Sequence, residues 1–309
     1  MRAQVIKAPN KANPAAYLLL LATFFIWGSI YVAGKYSMGV MSPVMVAAGR
    51  YLIAFAVMLP VGLKHLKVKI DRQDWKGLFV IGCLGHYLQT VVNMMGVQLI
   101  GASTASLINS LNPVSITVIA AILLGERIDA ARIVCIVLSV LGTAVITSGA
   151  TGRAQVAGVL LSLSAIVLWG FASVNMRRLS AKYGAMTVTL YGILISLVFY
   201  LPTAVADILL RGELAITWGA AAAVAYMGVF GTAIGGYLWA KALSLLEAGF
   251  CSMFYPLQTL FSALLGAAIL GERFQPTFYI GAAIIAVSVA VNCLHHGKAE
   301  KEHANEVTP

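Results

Sequence analysis

Three short sets of polar residues interrupt an otherwise apolar chain. His86, Gln89 and Asn93 are spaced i, i+3 and i+7; Ser106, Asn109 and Asn112 are spaced i, i+3 and i+6; Ser252, Tyr255 and Gln258 repeat that second spacing. On helices each set falls on one face. Carboxamides, an imidazole and a phenol offer hydrogen-bond donors and acceptors without fixed charge. Two indoles, Trp27 and Trp169, could clamp an apolar, aromatic or cationic group, and Tyr31 lies one turn beyond Trp27 on the same face. Arg50 is a lone fixed cation that could bind a carboxylate or close a gate against a helix C-terminus. Bond-breaking constellations are missing: neither H-E-x-x-H nor G-x-S-x-G occurs, and no Walker motif is present for ATP. All eleven Asp and Glu lie in loops, at helix ends or in the C-terminal tail, so no buried carboxylate relay is available. The four cysteines stand singly within apolar runs, which argues against a metal site or a disulfide framework. No cofactor and no metal is expected.

The elements that must carry these residues are membrane helices. Of 309 residues 60% are hydrophobic and 10% charged, with a mean hydropathy of +0.89, whereas an ordinary soluble domain is about 25% charged. This excludes a soluble enzyme and a disordered chain. The net charge of +10 does not signal nucleic acid, because the cations sit in short clusters between apolar runs rather than in a stripe among aromatics. Runs of about 20 apolar residues place ten spans, at 15–35, 43–63, 77–96, 102–124, 131–149, 156–176, 185–206, 216–240, 248–270 and 277–294. With the N-terminus inside, sixteen Lys and Arg fall in cytoplasmic segments and four outside. That bias puts both termini, and the polar tail 295–309, in the cytoplasm. Topology and anionic lipid therefore account for the basic charge.

The chain also repeats. Leu124-Gly125-Glu126-Arg127 recurs as Leu270-Gly271-Glu272-Arg273, a shift of 146 that also places Gly82 on Gly228 and Gly85 on Gly231. Trp27-Gly28 recurs as Trp169-Gly170 at a shift of 142, which sets Lys35 on Arg177. Each half holds five helices, an odd number, so the second half enters the membrane from the opposite side. The expected fold is an all-α integral membrane protein of ten transmembrane helices in two inverted five-helix repeats, 15–149 and 156–294. Such repeats are a mark of secondary transporters, with substrate held near the midplane between them.

The two Trp-Gly pairs, Arg50 in the second helix, and Asn112-Pro113 followed by Leu124-Gly125-Glu126-Arg127 resemble the EamA-type proteins of the drug/metabolite transporter superfamily. The resemblance spans about Ala15 to Leu294. It implies a multi-pass carrier of the bacterial inner membrane, usually an exporter of amino acids, other metabolites or toxic compounds. It also favours a gating or structural role for Arg50 over substrate choice. One departure is that Thr259 stands where the family commonly has proline, while Pro256 comes one turn earlier. The ninth helix is accordingly expected to break at a different depth from the fourth, where Pro113 frees a carbonyl beside Asn112.

The candidate substrate-binding residues are then Trp27, Tyr31, His86, Gln89, Asn109, Asn112, Trp169, Tyr255 and Gln258, with Arg50, Pro113 and Pro256 as gating or structural positions. For the two indoles and for each polar residue the competing reading is packing between helices. The partners are the lipid bilayer, a small-molecule substrate and, through His86 as the only histidine within a span, protons as a coupling ion. The alternative function is a passive channel or facilitator for small polar solutes, which would need a longer polar track than these few residues supply.

Overall fold

The computed structural model describes residues 14–126, 128, 130–147, 153–211 and 216–271, with isolated positions from 276 to 287. Lipid hydrocarbon offers an open backbone no partner, so long apolar runs satisfy their own hydrogen bonds as helices. Among the described residues nine rods result: α1 (Pro14–Met38), α2 (Pro43–Gly62), α3 (Trp75–Ile100), α4 (Ala102 to Leu124), α5 (Ala130–Thr147), α6 (Arg153–Tyr183), α7 (Ala185–Arg211), α8 (Trp218–Leu245) and α9 (Ala248 to Leu270). Among the described residues eight of them, all but α5, are long and apolar enough to cross a bilayer. The fifth expected span is helical; most of the tenth, with Glu272, Arg273 and the tail 295–309, lies outside the described residues. Large side chains such as Leu18, Ile122 and Leu209 are exposed on the flanks, a surface suited to lipid.

Local chemistry sets the rod ends. The Ser42 hydroxyl accepts from the Met45 amide at 3.1 Å at the start of α2, and Thr217 accepts from Ala220 at 3.2 Å at the start of α8. Gly125 and Gly271, the glycines of the repeated tetrapeptide, close α4 and α9 at φ of 69° and 64°, a left-handed geometry that glycine adopts without a Cβ penalty.

Four rods change register internally, in matched pairs. In α3 residues Val80–Leu88 form a π-helix, and in α8 Met227–Gly235 do the same. In α4 a 3-10 turn at Asn109–Leu111 separates Ala102–Ile108 from Asn112–Leu124. In α9 a turn at Met253 and Phe254 separates Ala248–Ser252 from Tyr255–Leu270. Pro113 and Pro256 each occupy the second position of the segment after the break, where a missing N–H costs nothing. At the 146 shift Pro113 falls on Thr259, so the α9 break comes one turn earlier, as the displaced proline implied.

Packing follows the repeat. α1 packs on α9 as α6 packs on α4; α3 packs on α6 as α8 packs on α1; α2 meets α8 as α7 meets α3; and α2 meets α7 directly. Each half therefore completes the other, and the interface between them is the core of the molecule. One end of this bundle is tied electrostatically. Lys182 Nζ lies 2.6 Å from both Asp71 and Asp74, and Tyr183 donates to Asp74 at 2.8 Å. At the same end of α6 the Glu126 carboxylate pairs with Arg177 at 2.9 Å.

Candidate functional site

The repeated Trp-Gly pair places the first side chains. Gly28 packs so closely on α9 that a Cβ there would lie 2.7 Å from Phe261 Cβ and 2.9 Å from the Gln258 carbonyl. Gly170 is pressed in the same manner against Ser115 and Ile119 of α4. These contacts hold α1 and α6 against the broken rods and turn the adjacent indoles inward. The Trp27 and Trp169 rings meet edge to face with centroids 5.7 Å apart. Trp27 Nε1 donates to the Gly231 carbonyl at 3.1 Å, and Trp169 Nε1 donates to the Tyr255 hydroxyl. Phe24 and Trp239 close the back of this aromatic box, each within 6 Å of Trp27.

The broken rods supply carboxamides. Asn109, in the 3-10 turn, donates to the Ala105 carbonyl at 2.8 Å and to Asn93 Oδ1 at 3.1 Å. Asn112 donates to the Asn109 carbonyl at 2.8 Å while its own Oδ1 is buried without a partner. The Asn109–Asn93 bond thereby links α4 to α3. Tyr31 lines the same cavity as Asn93 and Gln258.

The π segments supply the remaining polar wall. Arg50 Nε donates to Thr232 Oγ1 at 2.9 Å, and that hydroxyl donates to the Met227 carbonyl at 3.2 Å. The Arg50 guanidinium stands 5.4 Å from the centroid of Tyr51, whose ring is 5.5 Å from that of His86. His86 also lies 6.4 Å from Trp169.

These groups surround a cavity of about 110 Å³ between the halves, against the roughly 10–15 Å³ that one water needs. All nine candidate binding residues line it, and so does Arg50; Pro113 and Pro256 do not, acting instead at the starts of the inner segments. Sequence reasoning did not single out Tyr51, Thr90 and Thr232, which also line the cavity. Tyrosine and threonine are unremarkable in apolar spans; for Thr232 the available signal was its place 146 residues after His86. Among the described residues Arg50 is the one fixed charge in the lining. Among the described residues no group of three or more His, Cys, Asp or Glu could hold a metal ion.

A helical bundle of two related halves around one polar, aromatic-walled cavity is the architecture of a multi-pass membrane carrier. The chain belongs to the EamA-like transporter family, whose model matches it twice, over residues 14–148 and 156–294. An uncharacterized transporter of Archaeoglobus fulgidus is 27% identical over 281 residues, covering 89% of this chain and 97% of its own. A protein of Streptantibioticus cattleyicolor named a probable terminal-alkyne amino-acid exporter is 26% identical over 275 residues (89% and 91%). One of Escherichia coli K12 named a probable amino-acid metabolite efflux pump is 24% identical over 291 residues (89% and 93%). A solved crystal structure shares the fold with a TM-score of 0.74 at 22% identity, covering 94% of this chain and all of that one. The protein is a transporter with a small-molecule substrate, not an enzyme.

Proposed function

We propose that this protein is a secondary exporter of small carboxylate-bearing metabolites, amino acids or their relatives, working by alternating access around the central cavity. The observation that carries this reading is the lining itself: among the described residues Arg50 is its only fixed charge, no Asp or Glu faces it, and an aromatic box adjoins a set of carboxamides. An anionic group pairs with the guanidinium, whose Nε is already held by Thr232. An apolar or aromatic body fits between Trp27, Trp169 and Tyr255. The buried Asn112 Oδ1 accepts from an ammonium or amide of the solute. Two relatives named for amino-acid or metabolite efflux support the same direction and class. The full architecture has ten helices, with the second half inverted, both termini cytoplasmic, and residence in the bacterial inner membrane.

The test is export from a strain overexpressing the protein and loaded with radiolabelled amino acids, with counterflow in proteoliposomes to show saturable exchange. Asn112→Ala and Gln258→Ala should each reduce export about tenfold, the effect of losing roughly 1–1.5 kcal/mol of hydrogen bonding, at unchanged expression. Normal transport by both variants would displace the cavity from the mechanism, and conductance without saturation would favour a channel.

A further inference from the structure

The two halves meet at a pair of equivalent crossings, α2 with the π segment of α8 and α7 with the π segment of α3. Their backbones correspond closely. A Cβ on Gly228 would meet the Arg50 carbonyl and Ile53 at 2.8 Å; a Cβ on Gly82 would meet the Gly192 carbonyl at 2.8 Å and Ile195 at 2.6 Å. The shifts of 146 and 142 relate Gly82 to Gly228, Ile53 to Ile195 and Arg50 to Gly192. His86 then corresponds to Thr232.

The side chains at the two crossings are complementary rather than alike. At the first, the long cationic side chain comes from α2 and a small hydroxyl from the π segment, joined at 2.9 Å. At the second, α7 has no side chain at position 192, and the π segment delivers an imidazole into the vacated space: the His86 ring lies 2.9 Å (Cε1) and 3.1 Å (Nδ1) from where a Gly192 Cβ would be. Each half-interface thus holds one nitrogen base beside the cavity, and the Tyr51 ring is near both, at 5.4 and 5.5 Å.

We propose that His86 is a second anion station of this cavity, the counterpart of Arg50 in the other half, and that it takes up a proton from solvent when a carboxylate occupies it. This rests on the carboxylate-exporter reading above. The groups facing His86 are Arg50 and Tyr51 from α2, Trp169 from α6, and Gly192 and Tyr200 from α7, whose hydroxyl donates to the His86 carbonyl at 2.7 Å. None of them is a carboxylate. A proton on the imidazole has no counter-charge until an anion enters, so anion and proton bind together as a neutral pair. Two stations on opposite halves also give the solute a partner on whichever side opens.

Calorimetric titration with phenylacetate, which stays ionised between about pH 6 and 8, tests this on the full chain in lipid nanodiscs. Two buffers of different ionisation enthalpy count the protons taken up. Affinity should rise toward acid by up to about tenfold per pH unit, with close to one proton bound per phenylacetate. His86→Gln should bind with a flat pH profile, while Arg50→Gln should bind more weakly at every pH and keep the slope. Gly192→Ala, which crowds the imidazole without touching a charge, should shift the profile. A flat profile in the wild type, or an unchanged slope in His86→Gln, overturns the second station alone. Absence of phenylacetate binding at any pH overturns the carboxylate reading with it.

Discussion

Asp74 gathers three partners at one carboxylate. Burial alone would raise its pKa, but hydrogen bonds from Lys182 and Tyr183, and the charges of Lys182 and Arg178, hold it below the usual carboxylate range. A carboxyl lowered in the fold stabilises it above the unfolded value, near 3.9, and that gain is lost as pH falls through the lowered value. Asp74→Asn should therefore lower the thermal midpoint at neutral pH by the equivalent of about 1 kcal/mol, with the gap to wild type closing in acid. A gap that persists well below the lowered folded-state value, where the carboxyl is protonated in both states, would show that charge is not its cause. At the same scale the cavity was legible because polar side chains within lipid-depth helices are few. His86, Asn112 and Gln258 stand out against leucine and alanine in a way Thr232 and Tyr51 do not. What the residues could not reveal was pairing: Arg50 could be recognised as an intramembrane cation, but its partner lies 182 positions away.

Among the elements, the joints rather than the rods carry the information. Prolines announced both broken helices, and the offset of Pro256 announced that the breaks differ in depth. The π segments had no such announcement, because an i to i+5 register leaves the apolar composition unchanged; only their glycines and the repeat mark the place. The tetrapeptide ending α4 was readable as a terminus, yet its glutamate acts on another element: Glu126 accepts from the amides of Ala248 and Gly249, both at 3.1 Å, at the start of α9. It caps a helix of the opposite half and, paired with Arg177, ties α4, α6 and α9 together. Removing the acid alone, in Glu126→Ala, leaves a buried arginine uncompensated and should cost about 3 kcal/mol. Arg177→Met on that background should recover part of the loss, which denaturation of the purified variants would measure; no recovery would mean that the cap outweighs the ion pair. Gly28→Ala should also destabilise the fold, by about 1–3 kcal/mol, since its Cβ meets backbone and a Cβ, neither of which can swing away. Near-normal stability and transport in that variant would show that α1 and α9 can part without cost.

For the molecule as a whole, the repeat predicts its own orientation. Cysteine labelling at Lys67 and Arg211, in a background without native cysteines, should report opposite faces of the membrane, with Lys67 cytoplasmic; labelling from one side would end the ten-helix topology. The basic loop, the C-terminal end of α6 and Glu126 already share one end of the bundle, in keeping with an odd number of crossings per half. Among the described residues eight of the ten expected spans were readable from hydropathy, because a bilayer admits so few backbone solutions, whereas the interlocking of the halves depends on contacts between residues far apart in the chain. The clustering of indoles has an optical consequence. Trp27, Trp169 and Trp239 are buried together at the core of the interface, while Trp75 and Trp218 are 44% and 94% exposed. The protein's ultraviolet emission should therefore divide into a blue-shifted inner component and a red-shifted outer one. Aqueous iodide should quench the outer component first, and a solute entering between the halves should quench the inner one, so that the unlabelled chain reports its own occupancy in light.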